Sequence, residues 1–307
     1  MPLIFGTLKG TFYAMLLAAP LAVLGALYTS QFMRPDLRRW AKPAVEIMAA
    51  VPSVVIGFLA ALWLAPLVEG WFMTLVIGAA LVPATLLLAM LGWQRLEEIP
   101  AVRRRSTGLE FLVLIPVVAL ACMLATWAGP AVELHYMDGS FSQWLYDTLD
   151  RRYDQRNSVI IAFALGFAVI PIIFTISDDS LSNVPRHLTA ASLALGASRW
   201  QTAWRVVLPS ASPGIFAAAM IGFGRAVGET MIVLMATGNT PILDWSPFSG
   251  MRTLSANIAV EIPEAPVGGT LYRVLFLTAV ILFTMTFAVN TAAEIVRQRL
   301  RKKYGQL

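Results

Sequence analysis

Seven apolar runs, each long enough to cross a hydrocarbon core that needs about 20 helical residues, constrain the fold of this chain more than any other feature. They fall at approximately 9–32, 43–65, 71–93, 109–128, 157–177, 213–236 and 271–293. In lipid every backbone donor and acceptor must be satisfied within the protein, so such runs predict an all-α, polytopic transmembrane helix bundle of about seven spans. Composition agrees: 58% of residues are hydrophobic and 13% charged, against roughly 25% charged in soluble domains. Cys122 is the single cysteine, and His135 and His187 stand apart. Neither a disulfide framework nor a Cys/His metal site can be assembled from them. The net charge of +5 sits in short clusters between apolar runs, where it orients a membrane protein rather than meeting nucleic acid.

Those clusters fix an orientation. Arg34, Arg38, Arg39 and Lys42 follow the first run, Arg95, Arg103, Arg104 and Arg105 lie in the loop 94–107, and Arg186, Arg199 and Arg205 lie in 178–205. The tail adds Arg297, Arg299, Arg301, Lys302 and Lys303. Together these hold 16 of the 23 basic residues, while the alternate loops hold four. The positive-inside rule makes the first set cytoplasmic, the C-terminus included. Met1 then lies outside although no signal peptide precedes it, which leads to the expectation of a further upstream span, the alternative being that the 9–32 run inserts N-out on its own.

Prolines punctuate the spans at Pro20, Pro52, Pro83, Pro116 and Pro171, tolerated in membranes where neighbouring helices or water satisfy the freed carbonyls. The outer loop 238–270 is turn-rich and holds an apolar piece from Leu254 to Ile262, read either as a short re-entrant or surface hairpin or as a plain packed loop. The 130–156 loop carries five acidic and three basic residues with no evident chemistry.

Two stretches carry the functional signal. Residues 184–207 alternate polar and apolar positions with a helical period yet are too polar to span, which predicts a surface helix interrupted at Gly196 and stopped at Leu208-Pro209. Ser212-Pro213 then reads as an N-cap with proline at the first helical position, opening the sixth span. Within that span Arg225 lies about 12 residues from either end, hence roughly 18 Å deep. A cation there costs at least about 2.5 kcal/mol and ordinarily faces a partner or an aqueous path. Glu229, four residues on, is placed on the same helix face and within pairing reach. The pair reads either as a structural tie between helices or as an oxyanion site in which the planar guanidinium receives the anion and Glu229 holds it in place. The small residues Gly222, Gly224, Ala226 and Gly228 favour the second. No P-loop ending in Gly-Lys-Ser/Thr occurs, so ATP hydrolysis is not expected of this chain and no cofactor is assigned to it.

Ala191, Gly196, Val206, Leu208 and Pro209 fall at the spacing of the EAA loop of ABC importer permeases, with Ala190 where that pattern has glutamate. The run GRAVGETM, together with Gly6-Thr7-Leu8, the stretch Glu46 to Phe58, Asp178-Asp179 and Val184-Pro185, resembles the C-type membrane permease subunit of the phosphate-specific ABC importer. The resemblance covers about 1–66 and 157–300. It implies a type I importer permease bundle with 1–66 as the first part of the core and 67–156 as an inserted segment of two spans and an outer loop. The remainder of the core is then 157–300 with a coupling loop at 184–212, and 301–307 is a basic cytoplasmic tail. The subtraction leaves five family-like spans, one short of six, in line with the missing upstream helix.

Function follows from the same resemblance as an expectation. A periplasmic phosphate-binding protein delivers the anion to a heterodimer of this chain and a homologous permease in the bacterial inner membrane, and a cytoplasmic ATPase dimer, which binds the ATP, grips the coupling loops. The implied pathway residues are Arg225, Glu229, Gly224, Gly228 and Thr230, and the implied coupling residues are Ala190, Ala191, Gly196, Arg199, Leu208 and Pro209. Transport of another oxyanion such as sulfate or molybdate, a membrane-embedded phosphate-sensing role, and a secondary transporter without an ATPase remain as alternatives.

Overall fold

Proline and asparagine set the starts of the two helices around which most of the chain is packed. In the computed structural model, which describes residues 1–97 and 110–304, α1 (Pro2–Gln31) begins with proline at its first position, where the absent N–H has no intrahelical partner to lose. The long apolar helix α8 (Ser158–Ser182) begins at Asn157, whose side chain accepts from the backbone N–H groups of Val159 and Ile160 at 3.0 and 3.2 Å. Among the described residues seven helices are long and apolar enough to cross a membrane, as the apolar runs predict.

The chain divides into two units, Met1–Ala65 with Arg156–Leu307, and Pro66–Gln155. In the first, α1 lies along α8. Ala14, Ala18, Ala22 and Ala26 recur every fourth residue and are fully buried, so small side chains let the two backbones approach. On α8, a Cβ at Gly166 would already sit 3.6 Å from the Ala14 carbonyl oxygen. The second unit holds α5 (Phe72–Glu97), α6 (Glu110–Tyr136) and α7 (Phe141–Leu149). There Phe72 stacks on Phe141 with ring centroids 4.4 Å apart, and Gln155 donates to Glu69 at 2.7 Å. The basic loop 94–107 falls for its larger part outside the described residues.

Two expected spans are broken. The run 43–65 is not one helix: α2 (Pro35–Ala49) ends before Pro52, which stands extended as the N-cap of α3 (Ser53–Leu59), and a π turn (Ala60–Leu64) leads on to α4 (Ala65–Gly70). A ring without an N–H, on a residue that forces its predecessor out of the helical region, accounts for the break. The run 213–236 is likewise two helices, α11 (Leu208–Gly228) and α12 (Met231–Ala236), separated by an extended Glu229.

The stop expected at Leu208-Pro209 is the opposite case, because the helix runs on from Arg199 to Gly228. The short α10 (Arg199–Thr202) passes through a π turn (Ala203–Val207) into α11. Widening the turn before Pro209 gives its ring room against the preceding carbonyls, and Ser210 Oγ donates to the Val206 carbonyl at 2.7 Å. Ser212 caps nothing; its buried hydroxyl has no partner among the described residues. The real break is earlier. After α9 (Arg186–Ala194), Gly196 adopts φ +85°, a left-handed conformation that favours glycine, and Ser198 and Gln201 form a capping box that restarts the chain as α10.

The loop after α12 is packed rather than free. Its short helix α13 (Leu254–Glu261) buries Leu254, Ser255 and Ala256. Lys9 of α1, 1% exposed, donates to the Ser249 hydroxyl at 2.7 Å and carbonyl at 3.3 Å. The last helix, α14 (Thr270–Tyr304), packs on α11 and α13.

Candidate functional site

Arg225 sits in the last turn of α11, next to the break. Exposed Ile221, half-buried Gly224, exposed Arg225 and exposed Gly228 follow the i, i+3, i+4, i+7 spacing of one helix face, which Asn290 of α14 covers at Gly224 and which is open at Gly228. At Gly228 even an added Cβ would meet nothing within 4 Å. The opposite face is closed, since Gly222, Ala226 and Val227 are buried. There a Cβ on Gly222 would lie 2.6 Å from Ile173 of α8. Packing therefore presses one side of α11 against α8 and presents the guanidinium on the other. Arg225 also lies at the carbonyl end of its helix, where a cation is favoured by the backbone dipole.

The expected Arg225–Glu229 pair does not form. Glu229 lies beyond the helix end with φ −69° and ψ 127°, so the one-turn offset that would stack the two side chains is absent. Among the described residues neither side chain has an ion pair. What holds Glu229 is its backbone: its carbonyl accepts from Ser255 Oγ of α13 at 3.0 Å. Thr230 donates its hydroxyl to the Gly228 carbonyl at 3.3 Å. The break is fixed from behind as well, because a Cβ on Gly57 of α3 would lie 3.0 Å from both Ile232 Cα and the Met231 carbonyl oxygen. Gly224, Arg225, Gly228, Glu229 and Thr230 are thus brought together around one backbone discontinuity.

The second group of expected residues forms a separate knob. Ala190, Ala191, Gly196 and Arg199 are exposed, and α9 buries none of its residues. Leu208 and Pro209 are half-buried in the first turn of α11. Ser192 and Thr202 hydroxyls, 2.9 Å apart, close α9 onto α10. Leu195 is 90% exposed, and Trp200 and Trp204 stack with centroids 5.8 Å apart while remaining about half exposed. Trp200 also meets Phe32 of the stretch after α1, with ring centroids 5.9 Å apart, so the knob carries an exposed apolar patch.

A buried charge cluster at the root of this knob was missed by sequence reasoning. Asp178, fully buried near the C-terminal end of α8, accepts from Arg38 Nη2 at 2.9 and 3.0 Å, and Lys42 lies 3.6 Å away. Lys42 also donates to Asp179 at 2.8 Å, and that hydrogen bond is the main cause of its pKa standing above the ordinary lysine value. The available signal was charge complementarity: two acids close one apolar run and two bases open another.

Known proteins resemble the chain along most of its length. The model of the family described as binding-protein-dependent transport system inner membrane component matches residues 106–302. A probable ABC transporter permease protein, YqgH of Bacillus subtilis, is 24% identical over 287 residues, which is 94% of this chain and 68% of that protein. The phosphate transport system permease protein PstC of Mesorhizobium japonicum is 27% identical over 302 residues, 98% of this chain and 74% of that protein. A solved structure of the inward-facing MetNI methionine ABC transporter aligns with a TM-score of 0.48 at 15% identity, covering 96% of this chain and 91% of that one.

Proposed function

The chain belongs to the family of binding-protein-dependent transport system inner membrane components, and on that premise we propose that it is the permease subunit through which an ABC importer moves inorganic phosphate. It is a multi-pass membrane protein of the importer permease kind. Phosphate is favoured among oxyanions by the likeness to phosphate permeases such as that of Mesorhizobium japonicum.

The observation that carries the reading is Arg225. An arginine without a counter-charge among the described residues, on an open helix face beside glycine, is costly in an apolar span and is resolved by an aqueous path or a passing anion. Its fork of donors fits two oxygens of a tetrahedral dianion. With no carboxylate held against it, the guanidinium binds through its own donors, and Gly228 beside it leaves room for the ligand. Glu229 and Thr230 line the discontinuity behind it. A weak, transient site is what transport needs.

The exposed α9–α10 knob, with Leu195, Trp200 and Trp204, would seat in a cytoplasmic ATPase subunit, two copies of which serve this chain and a homologous permease. A periplasmic phosphate-binding protein would present the anion at the opposite end. The C-terminus of α14 then lies in the cytoplasm with its basic residues.

Phosphate uptake by cells lacking their own high-affinity system tests the reading, with this chain co-expressed with its partner subunits. Wild type is expected to restore uptake, Arg225→Gln to abolish it without loss of assembly, and Arg225→Lys to retain a part, because the charge stays while the fork is lost. Uptake by Arg225→Gln at the wild-type rate overturns the assignment.

A further inference from the structure

Next to Arg225 the molecule holds a cavity. α11 and α14 part around about 450 Å³, lined by Gly224, Met220 and Ile221 on one side and by Asn290, Glu294 and Arg297 on the other. The volume corresponds to roughly fifteen waters at liquid density, ample for a small oxyanion with part of its hydration shell. Three polar residues at i, i+4 and i+7 make a single stripe down α14. It covers about 10 Å along the helix axis. Asn290 falls inside the apolar run 271–293, and Glu294 and Arg297 stand at its basic end.

The stripe begins where the arginine site ends. A Cβ on Gly224 would stand 3.3 Å from Asn290 Oδ1, so the amide lies directly against the backbone of the residue that precedes Arg225. Asn290 has no hydrogen-bond partner among the described residues, so its two N–H donors are available. At the far end Arg297 donates to Glu294 at 2.7 Å, and Gln298 donates to the same carboxylate oxygen at 3.0 Å. A guanidinium has five donors, and this pair occupies one of them.

We propose that this cavity is a second anion station, following Arg225 on the way to the end of the bundle that carries the α9–α10 knob. Asn290 offers neutral donors to the phosphate oxygens as they leave Arg225. Arg297 supplies the charge that draws the anion on. Glu294 competes with the anion for Arg297, which keeps the station from becoming a trap. The proposal rests on the reading of Arg225 as the first station.

The test separates the cavity from that reading. Single cysteines replace Asn290, Leu277 and Lys302 in a Cys122→Ala background, and the assembled transporter in inside-out vesicles is treated with membrane-impermeant methanethiosulfonates, one anionic and one cationic. Lys302→Cys, exposed in the basic tail of α14, marks the reactive limit, and Leu277→Cys, 59% exposed on a different face of α14 from Asn290, marks the unreactive one. Asn290→Cys is expected to react near the first limit, faster with the anionic reagent, and more slowly when phosphate replaces chloride at equal ionic strength. Reaction as slow as at Leu277→Cys means that the cavity faces lipid, and a preference for the cationic reagent means that it does not collect anions; either result overturns the proposal even if Arg225→Gln abolishes uptake. In transport, Asn290→Leu should raise the KM for phosphate about tenfold, the loss of one hydrogen bond to a charged ligand, while Asn290→Ser restores a part. An unchanged KM in Asn290→Leu with the cysteine reactive would show a wet cavity through which the anion does not pass, and would equally end the proposal.

Discussion

Replacing Gly222 with alanine tests the contact that turns Arg225 outward. A Cβ there would stand 2.6 Å from both Cδ1 and Cγ1 of Ile173 and 2.9 Å from Cγ1 of Val169. Carbon atoms pack best at about 3.5–4.0 Å, so roughly 1 Å of separation is missing at three atoms. Ile173 and Val169 are both fully buried and both β-branched, and neither can swing aside without entering another contact. Helix α8 is itself packed along α1. Overpacking of this kind costs about 1–3 kcal/mol. Alanine in place of glycine in a helix returns up to about 1 kcal/mol, leaving a net loss of about 1–2 kcal/mol. For a chain of this size that is roughly 1.5–3 °C in Tm, read by thermal unfolding of the purified protein in detergent. Gly228→Ala is the control: no atom lies within 4 Å of its Cβ, so the same substitution should be neutral or slightly stabilising. Ile173→Ala alone should cost about 2–5 kcal/mol by leaving a cavity, and the Gly222→Ala/Ile173→Ala pair should be no worse than Ile173→Ala, because the new methyl enters the vacated space. Ile173→Val should rescue less, as it keeps a carbon at the Cγ1 position. A Gly222→Ala protein as stable as wild type, or strictly additive losses in the pair, would refute the close approach of α11 to α8.

The charge cluster below the bundle gives a second expectation. Arg38→Gln leaves the fully buried Asp178 with Lys42 at 3.6 Å as its remaining cation among the described residues; because Arg38 is a third exposed, the loss should be about 1–3 kcal/mol rather than the 3–5 of a wholly buried pair. Asp178→Asn added to it should recover at least half of the lost Tm. Gly196→Ala and Gly139→Ala form a matched pair, since both glycines have φ near +85° and open space around them. Each should cost about 1–2 kcal/mol of backbone strain, but the Gly196 variant alone should lower phosphate uptake at equal protein level, because its turn shapes the α9–α10 knob.

The parts of this fold that sequence displayed are those decided by a single strong term. Twenty apolar residues in a row leave lipid as their solvent, and seven helices long enough to span stand among the described residues, although the runs 43–65 and 213–236 are each broken. Gly196 was legible for the same reason, since a glycine set in a polar helical pattern takes up a left-handed turn at little steric cost. Prolines were harder to place. Pro52 breaks a helix, Pro209 is passed through on a widened turn, and Pro171 lies inside α8; the identity of the residue is the same and the neighbours that accommodate the ring are tertiary. The arginine site shows the limit most sharply. Spacing put Arg225 and Glu229 on one face only on the premise of an unbroken helix, and nothing local in Ala226-Val227-Gly228-Glu229-Thr230 dictates an ending. The ending comes from Gly57 wedged against Ile232 and Met231, and from Ser255 holding the Glu229 carbonyl, contacts with residues far away in the chain. Sequence could therefore name the residues that meet at the discontinuity but not the discontinuity itself. With the helix ended there, Arg225 is released from its expected counter-charge and left with open space at Gly228, and this makes it fit to take an anion rather than to brace a bundle.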